Sequence, residues 1–157
     1  MIVVVMGVSG VGKTSIGERL AARLGWRFID ADDHHPAANV AKMAAGAPLE
    51  DADRWPWLEA LNRLLRAERD AIVACSALKE AYRKRLLAGI AEWRLVFLEG
   101  DKALIASRLA ARKHRYMPAS LLDSQLATLE PPTQAIRIDV SAPLERSVDT
   151  ILQALDG

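Results

Sequence analysis

The chain is short of several features that would each declare a function. It has one cysteine, Cys75, among 157 residues, so no disulfide can form within it, and a reducing compartment suits it. No apolar run approaches the roughly 20 residues of a membrane-spanning helix. The apolar start, Ile2 to Met6, is too short for a signal-peptide core and has no charged stretch before it. Charge of one sign is missing too: 21 Lys and Arg against 20 Asp and Glu leave a net charge of +1. That balance gives no electrostatic footprint for nucleic acid or an anionic membrane surface. Repeats, low-complexity tracts and Gly/Ser linkers are absent. The expectation is a cytoplasmic chain of one domain, residues 1–157, whose 51% apolar content is enough for one buried core.

Short apolar runs alternate with longer amphipathic stretches, the pattern of an α/β layer fold. The β-branched run Ile2 to Met6 reads as a buried parallel strand. Lys13 to Leu24 carries Ile16, Leu20 and Leu24 at helical spacing, with Gly25 placed to end the helix. Arg27 to Asp30, Ala71 to Cys75, Leu95 to Leu98 and Ala135 to Val140 read as further strands. Helices are expected over Ala37 to Ala45, from an Asp53 cap to about Glu68, over Lys79 to Leu87, from an Asp101 cap to about Arg112, over Ala119 to Leu129, and over Pro143 to Leu155. Such alternation implies a mostly parallel sheet with helices on both faces and ligands at the carboxyl ends of its strands.

Gly7-Val8-Ser9-Gly10-Val11-Gly12-Lys13-Thr14 meets every fixed position of G-x-x-x-x-G-K-[ST], directly after a predicted strand and at the start of a predicted helix. The glycines let successive N–H groups turn toward phosphate oxygens, and the helix N-terminus adds its positive dipole end. Lys13 suits the β- and γ-phosphates and the Thr14 hydroxyl suits Mg2+. The alternative is a Gly-rich turn that merely joins strand to helix. The motif marks a nucleotide site and leaves the acceptor open.

Asp30-Ala31-Asp32-Asp33-His34-His35-Pro36 follows the second strand, at the same sheet edge, and the two-residue spacing of Asp30 and Asp32 in a short extended stretch is expected to put both side chains on one face. Phosphoryl transfer needs a carboxylate to orient an acceptor hydroxyl and take its proton, and a second to hold the metal through water. A solvated acidic turn, with Asp33 or Asn39 capping the next helix, is the other reading. The adjacent His34 and His35 project in different directions and have no Cys nearby, so a zinc pair is disfavoured. Lys42, Arg54, Lys79 and Arg83 flank the third strand, either as solvated cations or as anion ligands. Arg108 and Arg112 share a helix face, and with Lys113 and Arg115 they make a cationic segment before Pro118. It reads either as a solvated turn or as a lid, about 112–118, closing over ATP phosphates and offsetting transition-state charge. Cys75 reads as a small buried apolar residue, and Trp55 and Trp57, flanking Pro56 in a first helical turn, as packing residues.

Taken together, these residues resemble the gluconokinase family of P-loop sugar-acid kinases, over nearly the whole chain. The resemblance is carried by Met6-Gly7-Val8-Ser9-Gly10, Asp30-Ala31-Asp32 with His35-Pro36, Asn39 with Lys42-Met43, Asp53-Arg54 with Pro56-Trp57-Leu58, Cys75-Ser76-Ala77-Leu78-Lys79, Tyr82-Arg83, Ser107-Arg108-Leu109 with Arg112, and Ser124-Gln125 with Thr128-Leu129-Glu130. It implies a five-stranded parallel sheet of the nucleoside-monophosphate-kinase and shikimate-kinase type. It implies transfer of the ATP γ-phosphate to the 6-hydroxyl of D-gluconate with Mg2+, and it suggests a homodimer. Carried onto this chain, Asp32 resembles the acceptor-orienting base, with Lys13 and Arg112 as its catalytic companions, and Asp30 a support for the metal beside Thr14. His35, Lys42, Arg54, Lys79 and Arg83 resemble ligands of the sugar acid, and Arg108 and Arg112 contacts of the nucleotide. One run departs from the family: its lid commonly carries His then Phe after the arginines, whereas His114-Arg115-Tyr116-Met117 puts Arg in the usual place of the His.

Two other readings compete. A shikimate kinase shares the loop and the Asp-x-Asp strand end, but its Gly-Gly-Gly run is replaced here by Cys75-Ser76-Ala77-Leu78-Lys79. A nucleotide switch protein would share the loop, but no Asn/Thr-Lys-x-Asp guanine-reading run is present.

Overall fold

The structure is a computed structural model and describes residues 1–111 and 119–157. Its centre is β1 (Ile2–Met6), whose five side chains are all buried. Ile2, Val4 and Met6 enter one half of the core, while Val3 and Val5 enter the other. A strand covered on both faces has no polar side to show, which is why its sequence is an unbroken apolar run. Around it stand β2 (Arg27–Asp30), β3 (Ala71–Ala74), β4 (Trp93–Glu99) and β5 (Ile136–Asp139), all parallel, in the order β2-β3-β1-β4-β5. The five-stranded parallel sheet implied by the family resemblance is therefore present.

One half of the core is closed by α3 (Asp51–Arg66) and α4 (Glu80–Leu86). Leu58, Leu61 and Leu65 of α3 are wholly buried, each worth about 1.5–3 kcal/mol relative to exposure. Asn62 ties the two helices, donating to the carbonyls of Leu86 and Ala88 at 2.8 Å each. The other half is covered by α1 (Lys13–Leu24), α5 (Lys102–Ala110) and α7 (Leu144–Asp156), with Leu122 of α6 (Ala119–Thr128) added. A short α2 (Ala37–Ala44) lies between β2 and α3.

Several expectations need correction. Helix α3 starts two residues before Asp53, and Glu50 occupies the cap position. Asp53 acts from inside the first turn, its carboxylate accepting the Glu50 N–H at 2.8 Å. Pro56 accordingly lies in the helix interior. The extended chain ends at Asp30, and Ala31–His34 form a 3-10 turn capped by the Asp30 side chain. Asp30 and Asp32 therefore do not share the face of one strand. Strand β4 begins at Trp93 and ends at Glu99, beyond the expected bounds at both ends. The expected lid, with Arg112, Lys113, His114 and Arg115, lies outside the described residues.

Register sets up the site. Asp30 is level with Ala74, Ala74 with Val5, and Val5 with Val96. The chain leaving β1 at Gly7 thus emerges beside the carboxyl ends of β2, β3 and β4.

Candidate active site

Gly7 to Gly12 turn the chain from β1 into α1. A Cβ on Gly7 would stand 2.8 Å from the Leu98 carbonyl oxygen, and one on Gly10 would stand 2.8 Å from Leu109 Cγ and 3.1 Å from Ile105 Cγ2. Both have positive φ, +147° and +93°. Any side chain here would push the loop off β4 and α5. The Lys13 ammonium donates to the carbonyls of Gly7 and Val8 at 3.0 and 3.1 Å, folding over the loop. From the far side Gln125 of α6 grips Ser9. Its Oε1 accepts the Ser9 N–H at 2.8 Å and its Nε2 donates to Ser9 Oγ at 3.1 Å.

The acidic strand end abuts this loop. Asp30 accepts the Thr14 hydroxyl at 3.3 Å through one oxygen and the Asp32 N–H at 3.0 Å through the other. Two hard oxygens at that separation are close to the roughly 2.9 Å edge of a Mg2+ octahedron with 2.0–2.1 Å ligand distances. Thr14 and Asp30 therefore fit Mg2+. Among the described residues no three His, Cys, Asp or Glu side chains gather as a metal cluster.

Beyond Asp32 the chain is fixed by aromatics. The His35 ring stacks on Trp57 with centroids 4.1 Å apart and planes within 16°. The Trp57 indole N–H donates to the Ala31 carbonyl at 2.8 Å. Asn39 Nδ2 donates to the Asp53 carbonyl at 2.9 Å and lies 3.2 Å from His35 Nδ1. An amide nitrogen only donates, so Nδ1 accepts and the ring proton sits on Nε2. That nitrogen faces Asp32 Oδ1 at 3.8 Å. Burial lowers the His35 pKa below its ordinary 6.5, against the pull of Asp32 and with the push of Arg54.

The expected sugar-acid ligands divide into two groups. Lys42 pairs with Asp53 at 2.7 Å and Lys79 with Asp51 at 3.4 Å. Tyr82 donates its hydroxyl to Asp51. That bond is the main reason the Asp51 pKa is lowered, whereas burial first, and then Asp51, push the Tyr82 hydroxyl up to about 12. Arg54 lies over the Tyr82 ring, 5.2 Å from its centroid, and its Nε is buried without a hydrogen-bond partner among the described residues. Arg83 is placed differently from the other three. It is buried, donating to the carbonyls of Ala77 at 2.7 Å and Glu130 at 2.9 Å. Those bonds hold the β3–α4 connection, where Ala77 has φ +46°, unusual for a residue with a side chain.

Arg108 donates to the Val140 carbonyl at 2.6 Å, at the end of β5. Arg112 lies outside the described residues. Cys75 is buried, with its thiol pushed up to about 12 by desolvation, the behaviour of an inert core thiol. Sequence reasoning missed the pairing roles of Asp51 and Asp53, the Trp57 platform and the Gln125 grip. Neither spacing nor composition shows a bond between residues 9 and 125. The Ser124-Gln125 run was the only signal available.

A family model described as an AAA domain matches residues 2–132. The gluconokinase of Gluconobacter oxydans (strain 621H) is 44% identical over 156 residues, covering 97% of this chain and 87% of its own. The crystal structure of a gluconokinase from Sinorhizobium meliloti 1021 superposes with a TM-score of 0.90 at 43% identity, covering 98% of this chain and 90% of that one. A shikimate kinase structure from Bacteroides thetaiotaomicron has a TM-score of 0.73 at 17% identity, over 100% of this chain and 99% of that one, a likeness of fold alone.

Proposed function

The chain belongs to the gluconokinase family, and from that premise we propose that it transfers the γ-phosphoryl group of ATP to the 6-hydroxyl of D-gluconate, giving 6-phospho-D-gluconate and ADP. The observation that carries this reading is the cation set gathered around the first turn of α3. Lys42 and Lys79 pair with Asp53 and Asp51, while Arg54, whose charge both carboxylates also feel, has a buried Nε without a hydrogen-bond partner among the described residues. An acceptor with one carboxylate and several hydroxyls suits that pattern. The acid group goes to Arg54, and the paired Lys and Asp side chains take hydroxyls as donors and acceptors.

In this reading the loop amides and Lys13 hold the β- and γ-phosphates, and Arg108 and Arg112 contact the nucleotide. Thr14 and Asp30 hold Mg2+, which supplies neutralisation of phosphate charge when bound. Asp32 orients the 6-hydroxyl and takes its proton as the oxygen–phosphorus bond forms and the bond from the γ-phosphorus to the bridging oxygen breaks. His35, a neutral imidazole whose Nε2–H faces Asp32 from 3.8 Å, is placed to donate to an acceptor bound between them. The same reading makes the enzyme cytoplasmic, where a lone thiol stays reduced.

The test is ADP release with gluconate, shikimate, AMP or no acceptor. Strong acceleration by gluconate alone is expected. A faster rate with shikimate, or a rate indifferent to acceptor, overturns the assignment.

A further inference from the structure

Ser9 occupies one of the variable positions of the phosphate loop, yet it is held through both its backbone and its side chain from outside the loop. Gln125, 116 positions away, makes two hydrogen bonds to it, one to its N–H and one to its hydroxyl oxygen. The amide orientation is not arbitrary. A backbone N–H can only donate, so Oε1 must face it, and the amide NH2 is then delivered to Ser9 Oγ. The Ser9 hydroxyl is thereby made an acceptor toward Gln125, and its own proton must point elsewhere. Both ends of the grip are anchored in one half of the core, which holds Val8 and Val11 from the loop and Leu122 from α6. The neighbouring Val8 carbonyl receives the Lys13 ammonium at 3.1 Å, so the oriented hydroxyl belongs to the same turn of chain as the phosphate-binding lysine.

We infer that Gln125 is a positioning residue for phosphoryl transfer, acting through Ser9, whose hydroxyl it turns into a donor aimed at the phosphoryl group in transit. Without Gln125 the hydroxyl is free to rotate and the loop N–H loses its acceptor. A donor fixed before the reaction stabilises charge that develops on the phosphoryl oxygens without having to reorganise. This inference rests on the kinase reading proposed above.

The experiment is a double-mutant cycle in steady-state kinetics with ATP and gluconate, using Ser9→Ala, Gln125→Ala and the pair. Each single change should lower kcat about 10-fold or more, on the scale of losing one positioned donor, with KM for ATP moving less than about threefold. The double variant should be no slower than the slower single variant, because both remove the same donor. Gln125→Glu adds a check if Gln125→Ala folds poorly. It keeps an acceptor for the Ser9 N–H but cannot donate to Oγ, so it should melt like the parent and turn over like Gln125→Ala. Multiplying losses in the double variant overturn the inference, as does near-parental kcat in Gln125→Glu. A raised KM for ATP with kcat unchanged would also overturn it. If the parent enzyme shows no gluconate-dependent ADP release, the kinase reading itself fails. The same cycle, run on basal ATP hydrolysis, then tests the grip separately.

Discussion

Trp57 lies flat under the His35 ring, and its indole N–H also pins Ala31, the first residue of the turn that carries Asp32. One buried indole therefore sets both the imidazole and the carboxylate. Trp57→Phe keeps an aromatic surface and leaves the Ala31 carbonyl unpaired. A loss of about 1–3 kcal/mol in stability is expected from an orphaned buried acceptor, read by denaturant unfolding, together with a fall in kcat. Parental stability in this variant would show that the carbonyl finds water instead.

His35 should impose an acid limb on activity. Its pKa lies below 6.5 because burial disfavours the imidazolium. The unfolded chain therefore binds the proton more readily than the folded one. The stabilisation is fully present above pH 6.5 and is lost as pH falls through the folded value. Protonation also removes the Nδ1 acceptor that Asn39 uses. The expected profile of kcat/KM for gluconate is flat above neutrality and falls below pH 6.5, and His35→Gln should remove that limb. A limb centred above 6.5 would contradict the burial argument.

The three aspartates should separate cleanly. Asp32→Asn keeps the shape and loses the basicity, so kcat should fall roughly 100-fold or more, with ATP affinity little changed. Asp30→Asn should instead raise the Mg2+ concentration needed for half-maximal rate. Asp33→Asn should leave both close to parental values. Kinetics at varied gluconate and Mg2+ distinguish the three, and the worst loss falling on Asp33→Asn would end this division of labour.

Arg54 should matter for gluconate and not for ATP. Arg54→Met keeps much of the packing over Tyr82 and removes the charge. KM for gluconate should rise by a factor corresponding to about 2 kcal/mol or more, the scale of a charge-assisted bond, while KM for ATP stays put. Lys42→Met, which takes from Asp53 its lysine but not the Glu50 N–H, should affect stability as well as gluconate binding. Equal effects on both substrates in Arg54→Met would remove the carboxylate assignment.

Lys13→Ala should fold, because it replaces the first residue of α1 with the best helix former. Turnover should drop by orders of magnitude. A folded variant with parental turnover would refute the role of the loop.

The parts of this fold that could be read from sequence are those in which one local rule decides. The buried run of β1, the loop ending at Gly12 and the helix stop at Gly25 come out with their observed bounds. Where two rules compete, sequence reasoning goes astray. Asp53 has the chemistry of a helix cap, but here it reaches back to the Glu50 N–H from the first turn. Asp30 and Asp32 show strand spacing, but the Asp30 side chain captures the Asp32 N–H and turns the chain. Arg83 shows what sequence cannot reach at all. Its charge makes it resemble an anion ligand beside Arg54, and only the packing shows that it is buried and also donates to the carbonyls of Ala77 and Glu130.

The strand order β2-β3-β1-β4-β5 puts the loop-bearing strand in the middle of the sheet, with the two substrates assigned to opposite sides of it. Asp32, His35, Lys42, Arg54 and Lys79 fall in one uninterrupted stretch between β2 and α4. The phosphate loop precedes that stretch, and Arg108, Arg112 and Gln125 follow it. On the proposed assignment, the passage that meets the acceptor also supplies β3 and the core leucines of α3. A change of acceptor would then have to spare every buried position of that passage and fall on the few side chains that face the cleft.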